Sequence, residues 1–229
     1  MKLVLALLAC LLAAPAPAKE PIFVSSEQSR MAEFLPSPPA DGSADQKAEL
    51  NELHAVEAQR TEADVKQAQF DAENENIFAF ANVLGDKFNA TALPLTAAFG
   101  KRVANDESVN VNPVKAYFHR IHPYTYDATL KPVCKAKGLP DAYPSGHATV
   151  GYLLGLTLAE MAPEKRDDIL DRADAFARSR LICGVHYPSD IRASKSLAYA
   201  VHALMTANPQ YRVELAAAKE ELRKALGLP

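Results

Sequence analysis

The stretch from Ser179 to Asp190 holds three residue types that can do chemistry together: Arg180, a permanent cation; His186, an imidazole; and Asp190, a carboxylate four residues further on. Arg180 closes a long helical pattern that Gly184 ends, because glycine readily takes the left-handed conformation of a helix C-terminus. His186 falls in the turn that follows, and Pro188-Ser189-Asp190 opens the next helix with the carboxylate in its first turn. So placed, Asp190 can hold one ring nitrogen of His186, fix its tautomer and turn the other nitrogen toward Arg180 as a nucleophile or base. An isolated His-x-x-x-Asp would equally describe a surface histidine beside a helix cap. A second stretch weighs against that reading. Tyr143-Pro144-Ser145-Gly146-His147 precedes a strongly apolar helical run. Ser145 and Gly146 therefore sit where free N–H groups and the positive end of a helix dipole make an anion site, with His147 in the first turn.

Upstream, Lys115 and His122-Pro123 complete a set of three blocks. The set resembles the pattern Lys-x6-Arg-Pro, Pro-Ser-Gly-His, Ser-Arg-x5-His-x3-Asp of the type 2 phosphatidic acid phosphatase superfamily, and within it the bacterial class A non-specific acid phosphatases. The second block is matched by Pro144 to His147 and the third by Ser179, Arg180, His186 and Asp190, both at every position. The first is matched by Lys115 and Pro123, but His122 stands where the pattern has arginine. The proline-rich run Leu35 to Pro39, the spacing between blocks and the tail after Asp190 extend the likeness over most of the chain.

The resemblance implies phosphoryl transfer to His186, giving a phosphohistidine that water hydrolyses at acid pH. It casts Lys115, His122, Ser145, Gly146 and Arg180 as phosphate-binding residues. His147 becomes the acid for the leaving oxygen, and Asp190 the group that orients His186. These types make physical sense, since the equatorial oxygens of a phosphate monoester need neutralising and the two cations could supply that charge without a metal or other cofactor. Small phosphate monoesters would be the substrates, and the class suggests a homodimer. Two other readings remain: a phosphate or phospholipid-headgroup binding protein, motivated by the missing arginine, and a vanadate-dependent haloperoxidase-like enzyme. At His122 the substitution matters, because arginine stays cationic and grips phosphate with two parallel bonds, whereas histidine offers one donor and ordinarily titrates near ~6.5. Substrate binding should then weaken as pH rises through that titration, and His122→Arg should recover roughly 1.5 to 3 kcal/mol.

Several elements must position these groups. Residues 114–121 read as a helix beginning after Pro113 and ending before Pro123, which puts Lys115 and His122 two turns apart on one face and Arg120 off it. A nearly all-apolar run, 148–161, should be a buried central helix. Helices are also expected over 164–182, 191–206 and, capped by Asn208-Pro209, up to Gly227. Residues 44–74 read as one exposed amphipathic helix whose charges form a solvated face. Shorter helical runs at 77–83 and 93–103 are broken by Gly85, Pro94 and Gly100, and 125–141 reads as a loop over the site. No period-2 pattern is present, so the fold class is all-α, a single-domain helical bundle.

The chain has 229 residues and a formal net charge of -3. No basic stripe points to nucleic acid. Residues 1–18 carry Lys2, an apolar run and Ala16-Pro17-Ala18. That is the form of a cleavable signal peptide, which implies export to the periplasm; a lipoprotein leader with Cys10 is the rival. No later run is long enough to span a membrane. Residues 19–43, rich in proline and serine, should be an extended surface arm before a phosphatase domain over 44–229. Once the leader is gone, Cys134 and Cys183 remain. In an oxidising compartment they read as a disulfide, the alternatives being a zinc site short of ligands or two reduced thiols.

Overall fold

The computed structural model describes residues 19–228 apart from Lys137. The leader expected over residues 1–18 lies outside them. Seven long helices carry the fold: α1 Ala44–Gln59, α2 Glu62–Glu73, α3 Pro94–Phe118, α4 Gly146–Met161, α5 Arg166–Ile182, α6 Pro188–Ala207 and α7 Pro209–Leu226. Shorter helical turns fill the connections, and no strand occurs among the described residues. The expected all-α class is what forms.

At the centre is α4, which packs against α3, α5, α6 and α7. Its sequence explains its place: from Ala148 to Ala159 every residue is buried, so it has no face to offer water. Contact with α5 is closest where α4 is smallest. A Cβ at Gly151 would lie 2.5 Å from the Phe176 ring, and one at Gly155 2.8 Å from the Ala173 methyl. A larger residue at either position would push the two helices apart and lift α5, which carries Arg180, off the core.

Three expectations need correction. Residues 44–74 form two helices, because Thr61 caps α2 in a reciprocal box with Asp64 and the chain turns at Arg60. Their charges are not all solvated: Glu49 and Asp71 are buried and ion-paired to Arg120 and Arg172. Second, α3 runs unbroken through Gly100 and Pro113. An interior proline costs ~3 kcal/mol, but burying a valine or phenylalanine returns ~1.5 to 3 kcal/mol, and Phe99, Val103, Val111 and Val114 are all buried along this helix. Packing therefore wins. The helix ends at Phe118, where His119 turns left-handed at φ 48°, so Lys115 and His122 do not share a helix face. Third, residues 19–43 are not a loose surface arm. Phe23 and Val24 are buried, and the N–H groups of Ile22, Phe23 and Val24 all donate to the Asp106 carboxylate at 2.7 to 2.8 Å. Two helical turns, Ser26–Ser29 and Met31–Phe34, follow, with Met31 packed into the core.

Candidate active site

His186 is presented by the turn between α5 and α6. Gly184 takes φ 71° there, and its N–H closes the end of α5 on the Leu181 carbonyl. The ring is buried. Its Nδ1 lies 3.0 Å from the Ala142 carbonyl and 3.3 Å from Asp190 Oδ2, both acceptors, so Nδ1 carries the hydrogen and Nε2 the lone pair. Burial, reinforced by His122, Arg180 and Lys115, holds its pKa well below the usual imidazole value.

Asp190 is held from three sides. Besides His186, it accepts from the Tyr187 N–H at 2.8 Å and from Arg120 Nη1 at 2.5 Å. Arg120 in turn donates to Ser189 at 2.6 Å and to Glu49 at 2.9 Å, and its guanidinium lies 3.9 Å over the Tyr187 ring. The unwinding at His119 is what sends Arg120 to the back of Asp190. Burial pushes the Asp190 carboxyl up to about 6, opposed by Arg120 and the Tyr187 N–H.

At the start of α4, Ser145 is fully buried and its hydroxyl accepts from the Ala148 N–H as the helix N-cap. Gly146 leaves room for the Glu107 side chain: a Cβ there would lie 2.7 Å from Glu107 Oε1 and 3.9 Å from Lys115 Nζ, so a larger residue would displace that carboxylate. Glu107 is itself pushed up to about 7 by burial and by Glu75, against the pull of Lys115. His147 and Arg180 line a cavity of about 730 Å³ together with Phe70, Glu75 and Cys134. Both nitrogens of His147 face acceptors, the Ala72 carbonyl and the Glu75 carboxylate, each at 3.2 Å. Burial, then Arg180, His186 and Lys115, nonetheless push its pKa down to about 3. Arg180 is buried, its Nε has no hydrogen-bond partner among the described residues, and burial lowers its pKa to about 10.

Lys115 and His122 meet through a third residue. Asp141 places one carboxylate oxygen 3.4 Å from Lys115 Nζ and the other 3.0 Å from His122 Nε2. His122 Nδ1 reaches the Val185 carbonyl at 2.6 Å, and its ring lies 5.0 Å from that of His186. Partial burial works to raise Asp141, but Lys115 and His122 outweigh it and hold the carboxyl below its usual range.

Cys134 and Cys183 form a disulfide, their Cα atoms 5.2 Å apart. It joins the loop before α4 to the turn before His186, and the Val133 N–H to Cys183 carbonyl bond lies alongside. Ser179 does not face the cavity group: its hydroxyl donates to the buried Asp71, which also grips Arg172.

The eight sequence-predicted site residues thus lie on α3, the turn after it, the N-terminus of α4, the end of α5 and the start of α6, around one region. Glu49, Asp71, Glu107, Arg120 and Asp141 escaped sequence reading. Glu49 and Asp71 sat in a charge pattern indistinguishable from a solvated face. Arg120 was off the predicted helix face, and Asp141 looked like one more loop charge.

This architecture has relatives. The family model described as PAP2 superfamily matches residues 91–214, and the chain belongs to that family. It is 30% identical over 211 residues to a non-specific acid phosphatase of Salmonella typhimurium, covering 87% of this chain and 83% of that one. An acid phosphatase of Zymomonas mobilis is 32% identical over 151 residues, 64% of this chain and 56% of the relative. A non-specific acid phosphatase of Providencia stuartii is 34% identical over 115 residues, 48% and 46%. The match spans about half the length of these last two relatives. The crystal structure of a transmembrane PAP2 type phosphatidylglycerolphosphate phosphatase from Bacillus subtilis shares the fold, with a TM-score of 0.55 at 15% identity over 78% of this chain and 90% of that one. Among the described residues of the present chain, no helix is long and apolar enough to cross a membrane.

Proposed function

We propose that this protein hydrolyses phosphate monoesters at acid pH through a phosphohistidine on His186 Nε2, without a metal, after export to the periplasm. The observation that carries the reading is the state of His186: Nδ1–H is committed to the Ala142 carbonyl and Asp190, which leaves the Nε2 lone pair in a neutral ring. Likeness to acid phosphatases supports the substrate class.

In the first half-reaction the Nε2 lone pair attacks phosphorus, the phosphorus–oxygen bond to the leaving group breaks, and His147 gives that oxygen a proton. Water then attacks phosphorus, the P–N bond breaks, and His147 takes a proton back. Lys115, Arg180 and the N–H of Gly146 neutralise the equatorial oxygens in both steps, which is the work a metal ion does elsewhere. His147 must be protonated to start. Its low pKa comes from burial and neighbouring positive charge. A phosphate group beside Arg180 and Lys115 cancels that charge; the Ala72 carbonyl accepts from Nε2, and the Nδ1–H that faces Glu75 is the donor that turns to the leaving oxygen.

The test uses full-length mature protein and a chromogenic aryl phosphate between pH 4 and 8, with and without chelator, alongside ³²P-labelled substrate quenched in alkali. His186→Ala should abolish both turnover and label on the protein. Normal turnover in that variant, or loss of activity on chelation, would sink the mechanism.

A further inference from the structure

We propose that Asp141 makes this site selective for phosphate that still carries a proton, its carboxylate accepting a hydrogen bond from P–OH so that the monoanion is bound and a proton-free dianion is turned away. The proposal rests on the reading of Lys115 and Arg180 as phosphate-binding cations. His122 stands where the pattern of related phosphatases has arginine, yet neither of its nitrogens is open: Nδ1 is used by the Val185 carbonyl and Nε2 by Asp141. Lys115, the other cation of that block, faces the same carboxylate. An arginine would bring two donors to an anionic oxygen; this pair brings an acceptor instead.

Asp141 cannot simply leave. The next residue is fixed on both sides, its N–H donating to the Arg120 carbonyl at 3.0 Å and its own carbonyl accepting from His186 Nδ1 at 3.0 Å. The backbone that follows Asp141 is thereby held against His186, and the Asp141 side chain stays between Lys115 and His122. A dianion placed between Lys115 and His186 would set like charges side by side in a partly buried site. A monoanion offers one hydroxyl, and a carboxylate is the acceptor it needs. Because the second ionisation of a phosphate monoester falls near ~6, this selection alone confines tight binding to acid pH.

The other charged and titratable groups around the site are Lys115 and Glu107 from α3, His122 from the turn behind it, His147 from α4, Glu75 beyond α2, Arg180 from α5 and His186 and Asp190 at the start of α6. Titration of any of them would change affinity for phosphate and sulfate alike. Sulfate has the same shape but carries no proton at these pH values, so comparing the two anions isolates the acceptor.

The experiment is calorimetric titration of the full-length mature chain with inorganic phosphate and with sulfate at pH 5 and 8.5, for wild type, Asp141→Asn and Asp141→Ala, each checked for helicity; the higher pH lies well above the second ionisation of inorganic phosphate, which falls about one unit above that of a monoester. Wild type should bind phosphate at pH 5 at least tenfold more tightly than at pH 8.5, and at least tenfold more tightly than sulfate. Both variants should gain at least tenfold for sulfate and lose most of the pH dependence for phosphate. Variants that bind phosphate more weakly at both pH values, with sulfate still excluded, would show that Asp141 only holds His122 in place and would overturn the proposal. Equal binding of both anions by wild type overturns it as well. Absence of phosphate binding by wild type, together with no aryl phosphatase activity, removes the functional reading itself.

Discussion

Asp190 feels two opposing influences, burial that pushes its carboxyl up to about 6 and Arg120 that pulls it down. The ionised form is the stronger acceptor for His186 Nδ1–H and the only one that offsets the positive ring formed on phosphorylation, so loss of that form on acidification should set the acid limb of kcat/KM, above the ordinary carboxylate value. Arg120→Met should move that limb to higher pH, since it removes the main opposing charge. It should also destabilise the fold by ~3 to 5 kcal/mol, because Asp190 and Glu49 are left buried without their partner. A pH–rate profile with an unmoved acid limb would show that Arg120 does not act through Asp190. The contrast between the two arginines also shows what the sequence could and could not reveal at this scale. Arg180 was legible because its offset from His186 and Asp190 is local, spanning one helix end and one turn. Arg120 was not, because its partners lie 70 and 71 residues away in sequence.

At the scale of elements, periodicity and caps gave α4, α5 and α6 to within a turn, and with them the N-terminus that frames Ser145 and Gly146. The failure was α3. Gly100 and Pro113 signal helix breaks when only the chain is considered, but tertiary burial overrides both. The merged helix is what lines up Glu107 and Lys115 behind Gly146. That alignment has a measurable cost. Glu107 has a folded-state pKa of about 7 against 4.5 for the ordinary group. A raised carboxyl contributes stability that is fully present below the unfolded value and is lost as pH climbs through the folded one. The melting temperatures of wild type and Glu107→Gln should therefore run together below pH 4.5, diverge in favour of the variant between 4.5 and about 7, and keep a constant gap above that. Parallel curves across that range would mean that Glu107 ionises without strain.

On the scale of the whole molecule, the all-α class was readable from the absence of any period-2 pattern, whereas closure of the chain on itself was not. Segment 22–24 is held by the Asp106 side chain and by Asn208, whose Nδ2 donates to the Phe23 carbonyl at 2.8 Å. No local rule anticipates a carboxylate gripping backbone 82 to 84 residues away. Arg180 ties this architecture to its surroundings in a different way. The fold buries a guanidinium whose Nε has no partner among the described residues and whose pKa burial lowers to about 10, and an anion that supplies a contact there can do so only while the molecule is folded. Under the proposed function, phosphate is a folding ligand as well as the reaction product: at one hundred times its dissociation constant it should add ~2.7 kcal/mol to the native state. The midpoint of unfolding in urea should rise with phosphate in wild type and stay flat in Arg180→Met. Where inorganic phosphate accumulates, the protein would become slower by product occupancy and harder to unfold by the same binding constant.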